Sequence, residues 1–139
     1  MPLFEMPMEQ LKTYQGTNPK PRDFESFWED ALSEMEQVRP DLEIRSSSFQ
    51  APFAECYDLF FTGVRDARIH ALYVKPKNGP KQHPAVVQFH GYTGSAGAWL
   101  DKLPYAAAGY SVFALDCRGQ GGLSEDTGAV KGNTHNGHG

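Results

Sequence analysis

Pro84-Ala-Val-Val-Gln-Phe-His-Gly-Tyr-Thr-Gly-Ser-Ala-Gly97 joins a short apolar run to a glycine-spaced loop. The run from Ala85 to Phe89 is bounded by turn residues, which predicts an interior strand of a mostly parallel sheet. A loop after such a strand lies at its carboxyl end, where open α/β sheets place their ligand sites. Gly91, Gly94 and Gly97 permit close backbone approach or positive φ. Main-chain N–H groups left unpaired in this loop would donate to an anion, as an oxyanion hole requires.

Outward from the loop, residues 98–108 read as a helix with Trp99, Leu103, Ala106 and Ala107 inward, kinked at Pro104 and closed by Gly109. Tyr110-Ser-Val-Phe-Ala-Leu-Asp116 is a second interior strand, followed by Cys117-Arg-Gly-Gln-Gly-Gly-Leu-Ser124. Strand, glycine loop, helix, strand is a βαβ unit with parallel strands and a right-handed crossover. Upstream, residues 55–62 and 67–74 flank Gly63-Val-Arg-Asp66 and predict an antiparallel hairpin. His70 falls in its second strand and reads as a hydrogen-bonded strand residue rather than a catalyst, because no acid or nucleophile is near it in sequence. Residues 1–20 suggest an extended arm. Pro21 suits the first turn of a helix that Pro40 ends, with Phe24, Phe27, Trp28, Ala31, Leu32 and Met35 on one face. The expected organisation is an arm and amphipathic helix over 1–40, then a sheet domain over 41–139.

The composition excludes several classes. With 40% apolar and 22% charged residues the chain is not a disordered one. A net charge of −4 with scattered Lys and Arg leaves no footprint for nucleic acid. No apolar run nears the roughly 20 residues of a membrane span, and the amino terminus has no basic, signal-like segment. The expectation is a cytoplasmic protein, with Cys56 and Cys117 as buried reduced thiols.

Specific motifs are mostly refused. Thr93-Gly-Ser-Ala-Gly97 fails as a G-x-S-x-G nucleophile elbow because Thr93 takes the first glycine position, and Ser124 fails because Asp126 takes the last. The Gly91, Gly94, Gly97 spacing is not that of a dinucleotide loop, and no Walker lysine follows, so no cofactor is expected. His135 and His138 lack Cys or carboxylate companions, so no metal is expected either. Arg118 reads as a loop brace that bonds nearby carbonyls and carboxylates.

Taken together, Gln88-Phe-His-Gly-Tyr-Thr-Gly94, Trp99 and Ala107-Ala-Gly-Tyr-Ser-Val-Phe-Ala-Leu-Asp-Cys-Arg-Gly-Gln-Gly121 resemble the acetyl xylan esterase / cephalosporin-C deacetylase family of α/β-hydrolases, carbohydrate esterase family seven. The opening Asn18-Pro-Lys-Pro-Arg-Asp-Phe-Glu-Ser-Phe-Trp28 and closing Gly132-Asn-Thr-His-Asn-Gly-His-Gly139 are similar too. The resemblance implies a serine esterase that deacetylates xylo-oligosaccharides and cephalosporin C, cytoplasmic and hexameric, with active sites facing an inner cavity. It implies that Tyr92, beside Gly91, supplies an oxyanion N–H and lines the acyl pocket. It implies that His90, Arg118, Gly119 and Gln120 brace the active-site loops.

In this superfamily Ser, Asp and His follow in that order, downstream of the strand ending near Asp116. The expected fold is therefore the N-terminal portion of an α/β-hydrolase, with arm, helix, antiparallel hairpin and parallel βαβ unit, cut before the elbow. No catalytic residue is expected in the chain, which alone should be inactive. A sheet ending beside residues 112–116 should present an apolar, aggregation-prone edge. The alternatives are a non-catalytic assembly module acting through the helix at 24–35, and another α/β-hydrolase of dienelactone-hydrolase or peptidase type.

Overall fold

The computed structural model describes residues 6–126, and the chain divides into two compact units, Met1–Ser33 and Glu34–Gly139. In the first, the arm is not wholly extended. Met8–Leu11 forms a single helical turn, α1, in which the Pro7 carbonyl accepts from the N–H groups of Gln10 (2.9 Å) and Leu11 (3.1 Å). Proline suits the position before a helix because the N–H it lacks would have no intrahelical partner there. The main helix, α2 (Phe24–Glu36), begins three residues after Pro21, whose carbonyl accepts from Phe24 N–H. It ends four residues before Pro40, earlier than the proline alone would demand. No residue of α2 is buried.

In the second unit five strands form one sheet among the described residues: β1 (Glu43–Ser46), β2 (Ala54–Thr62), β3 (Arg68–Pro76), β4 (Ala85–Phe89) and β5 (Ser111–Leu115), ordered β1-β2-β3-β5-β4. The expected hairpin is β2–β3, closed by a helical turn at Val64–Asp66 with Gly63 N–H donating to the Ala67 carbonyl at 2.8 Å. Its register sets Phe60 opposite His70. β4 and β5 are parallel, with Ala85 beside Ser111 and Phe89 beside Leu115. β3 and β5 are antiparallel, so the sheet is mixed rather than mostly parallel.

The strand order corrects two expectations at once. β5 returns between β3 and β4 and becomes the interior strand, with Val112 fully buried and Ala114 nearly so. β4 is an edge strand among the described residues, as β1 is at the other side, leaving Val87 57% and Phe89 70% exposed. Among the described residues the edge on this side of the sheet thus lies along 85–89, not along 112–116. A five-residue apolar run has the same pattern in either place, so periodicity does not order neighbours.

The β4–β5 crossover holds a helical turn, Trp99–Asp101, and a short helix, α3 (Leu103–Ala107). Pro104 sits in the first turn of α3, where its missing N–H costs no hydrogen bond, so it starts a helix instead of kinking one. The core on this side joins Ala54, Cys56, Val74, Ala106 and Val112, with the Phe49 and Trp99 rings stacked 6.1 Å apart. Cys56 is buried as expected. Cys117 lies just past β5 and is only half-buried, and both are free thiols.

Candidate functional site

The carboxyl ends of β4 and β5 lie side by side, so the loops that leave them must meet. Residues 91–94 form a tight turn in which Gly94 N–H donates to the Gly91 carbonyl at 3.0 Å. Its third residue, Thr93, has φ 61°, a left-handed conformation that a β-branched side chain disfavours. The second loop holds that strained unit. Gln120 Oε1 accepts from Thr93 N–H at 2.6 Å, and Gly121 N–H donates to the Gly94 carbonyl at 2.9 Å. His90 ties the loop bases together: Nε2 accepts from Cys117 N–H at 2.8 Å, which leaves Nδ1 to donate to the Gly91 carbonyl at 2.8 Å.

These contacts narrow the expectation of idle donors. Thr93, Gly94, Ala96, Gly97 and Ala98 all donate their N–H groups within the chain, to Gln120, Gly91, Asp116, Ser95 and Asp101 respectively. A tight loop against a sheet must satisfy its own donors first. The Tyr92 side chain stands at the loop tip, 66% exposed. The structure therefore groups His90, Gly91, Tyr92 and Gln120, with Gly119 (φ 66°) in the turn that presents Gln120. Arg118 reaches elsewhere: Nε bonds Asp126 (3.2 Å) and Nη1 the Val64 carbonyl (2.8 Å), so it anchors the second loop to the β2–β3 hairpin. His135 and His138 lie outside the described residues.

Beneath both loops is a polar cluster that sequence distance conceals. His70, on β3, is 3% exposed and lies between two carboxylates, with Nδ1 2.6 Å from Asp116 Oδ2 and Nε2 3.1 Å from Asp58 Oδ1. A neutral imidazole donates from one nitrogen only, so both contacts are hydrogen bonds to carboxylates when the ring is doubly protonated. Burial alone lowers its affinity for a proton, but the hydrogen bonds to Asp116 and Asp58 outweigh it and the pKa is raised. Asp116, 2% exposed, directly follows β5. Burial pushes its carboxyl up, yet the hydrogen bonds from His70, Leu123 N–H and Ala96 N–H prevail and hold it at about 2. Ser124 Oγ donates to the Asp116 carbonyl (2.6 Å) and accepts from His70 N–H (2.9 Å). Lys102, 4% exposed, donates from Nζ to the Ala96 carbonyl, and its pKa is lowered by burial. A charged residue closing an apolar strand just before a glycine-rich turn is the one sequence signal that marks Asp116.

A cleft of about 280 Å³ opens beside these groups, lined by Asp58, His70 and Asp116, by Ser95 to Gly97 of the first loop and by Gly121 to Leu123 of the second. Its place, on the strand-end side of a parallel pair with interlocked glycine loops, defines the class: part of an α/β-hydrolase fold. The profile of the acetyl xylan esterase (AXE1) family matches residues 1–139, and the chain belongs to that family. Acetyl xylan esterase 1 from Thermoanaerobacterium sp. JW/SL YS485 is 58% identical and superimposes with a TM-score of 0.85 over 94% of this chain. Acetyl xylan esterase from Paenibacillus sp. R4 is 30% identical, with a TM-score of 0.78 over 92%. The chain spans 41% and 42% of those two solved proteins. Among curated relatives, dipeptidyl-peptidase 5 of Schizosaccharomyces pombe is 36% identical over 77 residues, which are 49% of this chain and 11% of that protein. Among the described residues, no helix is long and apolar enough to cross a membrane.

Proposed function

We propose that this chain is the oxyanion-loop part of a serine carboxylesterase that removes acetyl groups from acetylated xylo-oligosaccharides and cephalosporin C. The observation that carries the reading is the pinned turn at 91–94, set at the end of β4 in a chain of the acetyl xylan esterase family. In this reading Tyr92 N–H, beside Gly91, donates to the tetrahedral oxyanion, and the Tyr92 ring lines the acyl pocket. His90, Gln120 and Gly119 hold the turn, and Arg118 fixes the second loop against the hairpin. The enzyme works in the cytoplasm as a hexamer, with its active sites facing an inner cavity.

The 139 residues alone are inactive, because oxyanion donors without a nucleophile and its base leave several orders of magnitude of rate unrealised. A chimera tests this directly: the matched 41% of the Thermoanaerobacterium enzyme is replaced by this chain. Acetate release from acetylated xylo-oligosaccharides is expected from the chimera and not from the chain alone. A folded chimera that releases none, or an isolated chain that turns over, contradicts the reading. The likeness to dipeptidyl-peptidase 5 favours a second reading, a peptidase, and cleavage of a dipeptidyl anilide in place of acetyl esters would decide for it.

The buried pair makes stability depend on pH from both sides. The lowered Asp116 pKa stabilises fully above the ordinary carboxylate value of ~3.9, and that contribution is lost as pH falls towards about 2. The raised His70 pKa stabilises fully below the ordinary ~6.5 and is lost as pH rises through its folded value. Urea midpoints of the chimera should peak between these limits. Asp116→Asn should remove about 2 kcal/mol of the acid limb; an unchanged acid limb would show that the carboxylate is not held as described.

A further inference from the structure

We propose that Asp116 is a positioning residue for turnover, its carboxylate clasping the loop after β4 to the loop after β5 so that the two keep one fixed geometry. The proposal rests on the esterase reading of the loop at 91–94.

Both oxygens of the carboxylate are committed. Oδ1 accepts from Ala96 N–H at 2.5 Å, in the first loop, and Oδ2 from Leu123 N–H at 2.8 Å, in the second. Oδ2 also faces His70 Nδ1 at 2.6 Å, so the sheet orients the clasp from below. His70 is in turn held on its far side by Asp58 Oδ1 at 3.1 Å. Ser124 closes the circuit, bonding the main chain of both Asp116 and His70. Gly122 leaves room for the arrangement, since a Cβ there would overlap the Asp116 carboxyl group.

A buried carboxylate is a costly way to join two loops, because the charge must be taken out of water. It does what an apolar contact does not: it fixes direction as well as distance, through short bonds to two amides at once. Ala96 lies four residues after Tyr92, across a turn whose other ties, Thr93 to Gln120 and Gly94 to Gly121, run between neutral groups. Loosening the charged tie frees the far end of the turn while leaving the near end attached at His90. A misplacement on the order of 1 Å at a catalytic donor costs about a hundredfold in rate.

The test uses the chimera carrying Asp116→Asn, with His70→Asn as the companion variant. An asparagine oxygen accepts from one loop amide while its NH2 group confronts the other N–H, so one tie is lost without a change of volume. The expected result is a kcat lowered about ten- to a hundredfold, KM within about twofold of the parent, and a melt that stays cooperative. Amide hydrogen exchange of residues 94–98 should accelerate more than that of β3 and β5. His70→Asn, which keeps both amide bonds but unseats the carboxylate, should lower kcat less. The proposal is overturned if folded Asp116→Asn keeps the parent kcat and exchange rates. It is equally overturned if turnover falls only in step with folded protein and exchange rises evenly across the sheet. Failure of the esterase reading has a different signature: a folded parent chimera without activity, in which Asp116→Asn still accelerates exchange at 94–98.

Discussion

Tyr92→Pro in the chimera is expected to lower kcat by about a hundred- to a thousandfold, the range seen when one oxyanion donor is removed. Tyr92→Ala keeps the main-chain N–H and should lose far less, through a poorer fit of the acyl group. The comparison is clean because of where Tyr92 sits. In the turn closed by Gly94 N–H and the Gly91 carbonyl it is the second residue, and the third, Thr93, has positive φ. Proline is favoured at the second position of such a turn, so the substitution removes a donor without opening the loop. The residue before it is Gly91, which has no Cβ to clash with the proline ring. Steady-state kinetics on both variants, with circular dichroism as the folding control, reads the difference. Equal turnover would remove Tyr92 N–H from the mechanism.

Gly122→Ala should be the most destabilising added methyl among the described glycines. The added Cβ would fall within the Asp116 carboxylate, at a site where Leu123 N–H, Ala96 N–H and His70 already hold that group from three sides. Relief requires either moving Asp116, directly after β5, or expelling its charge, and overpacking of this kind costs about 3 kcal/mol. Gly109→Ala is the useful contrast. Gly109 has φ 89° but open space around it, so alanine there meets backbone strain alone, about 1–2 kcal/mol. Urea denaturation of the two variants should rank Gly122→Ala clearly the worse. A Gly122→Ala midpoint equal to the parent's would mean that the second loop does not lie over Asp116.

Local chemistry made much of this legible from the letters. Gly63-Val-Arg-Asp66 between two strand-like runs specified the hairpin, and the glycine loop between two apolar runs specified the parallel β4–β5 pair. Arg118 reads from the sequence as a loop brace, and in the structure it bonds the Val64 carbonyl and the Asp126 carboxylate. The order of strands was not legible, because Val86, Val87 and Phe89 have the same apolar texture at an edge as in a sheet interior. Nor was the His70–Asp116 pair. Forty-six positions separate the two residues, and only the β3–β5 pairing, which sets Ala71 opposite Leu115, brings their side chains together. A histidine read against its sequence neighbours looks like an ordinary strand residue; read against the next strand in the sheet it is half of a buried, hydrogen-bonded His–Asp pair. α1 has no legible signal for a simpler reason, since four residues bounded by a proline carry too little periodicity to show.

A crystal structure of the chimera with a phosphonate ester on its nucleophilic serine tests the central idea most directly. If the turn at 91–94 is an oxyanion cradle, the phosphonyl oxygen will lie about 2.7–3.1 Å from the Tyr92 main-chain nitrogen. A phosphonyl oxygen bound by other donors, with that nitrogen turned towards its own chain, would contradict it.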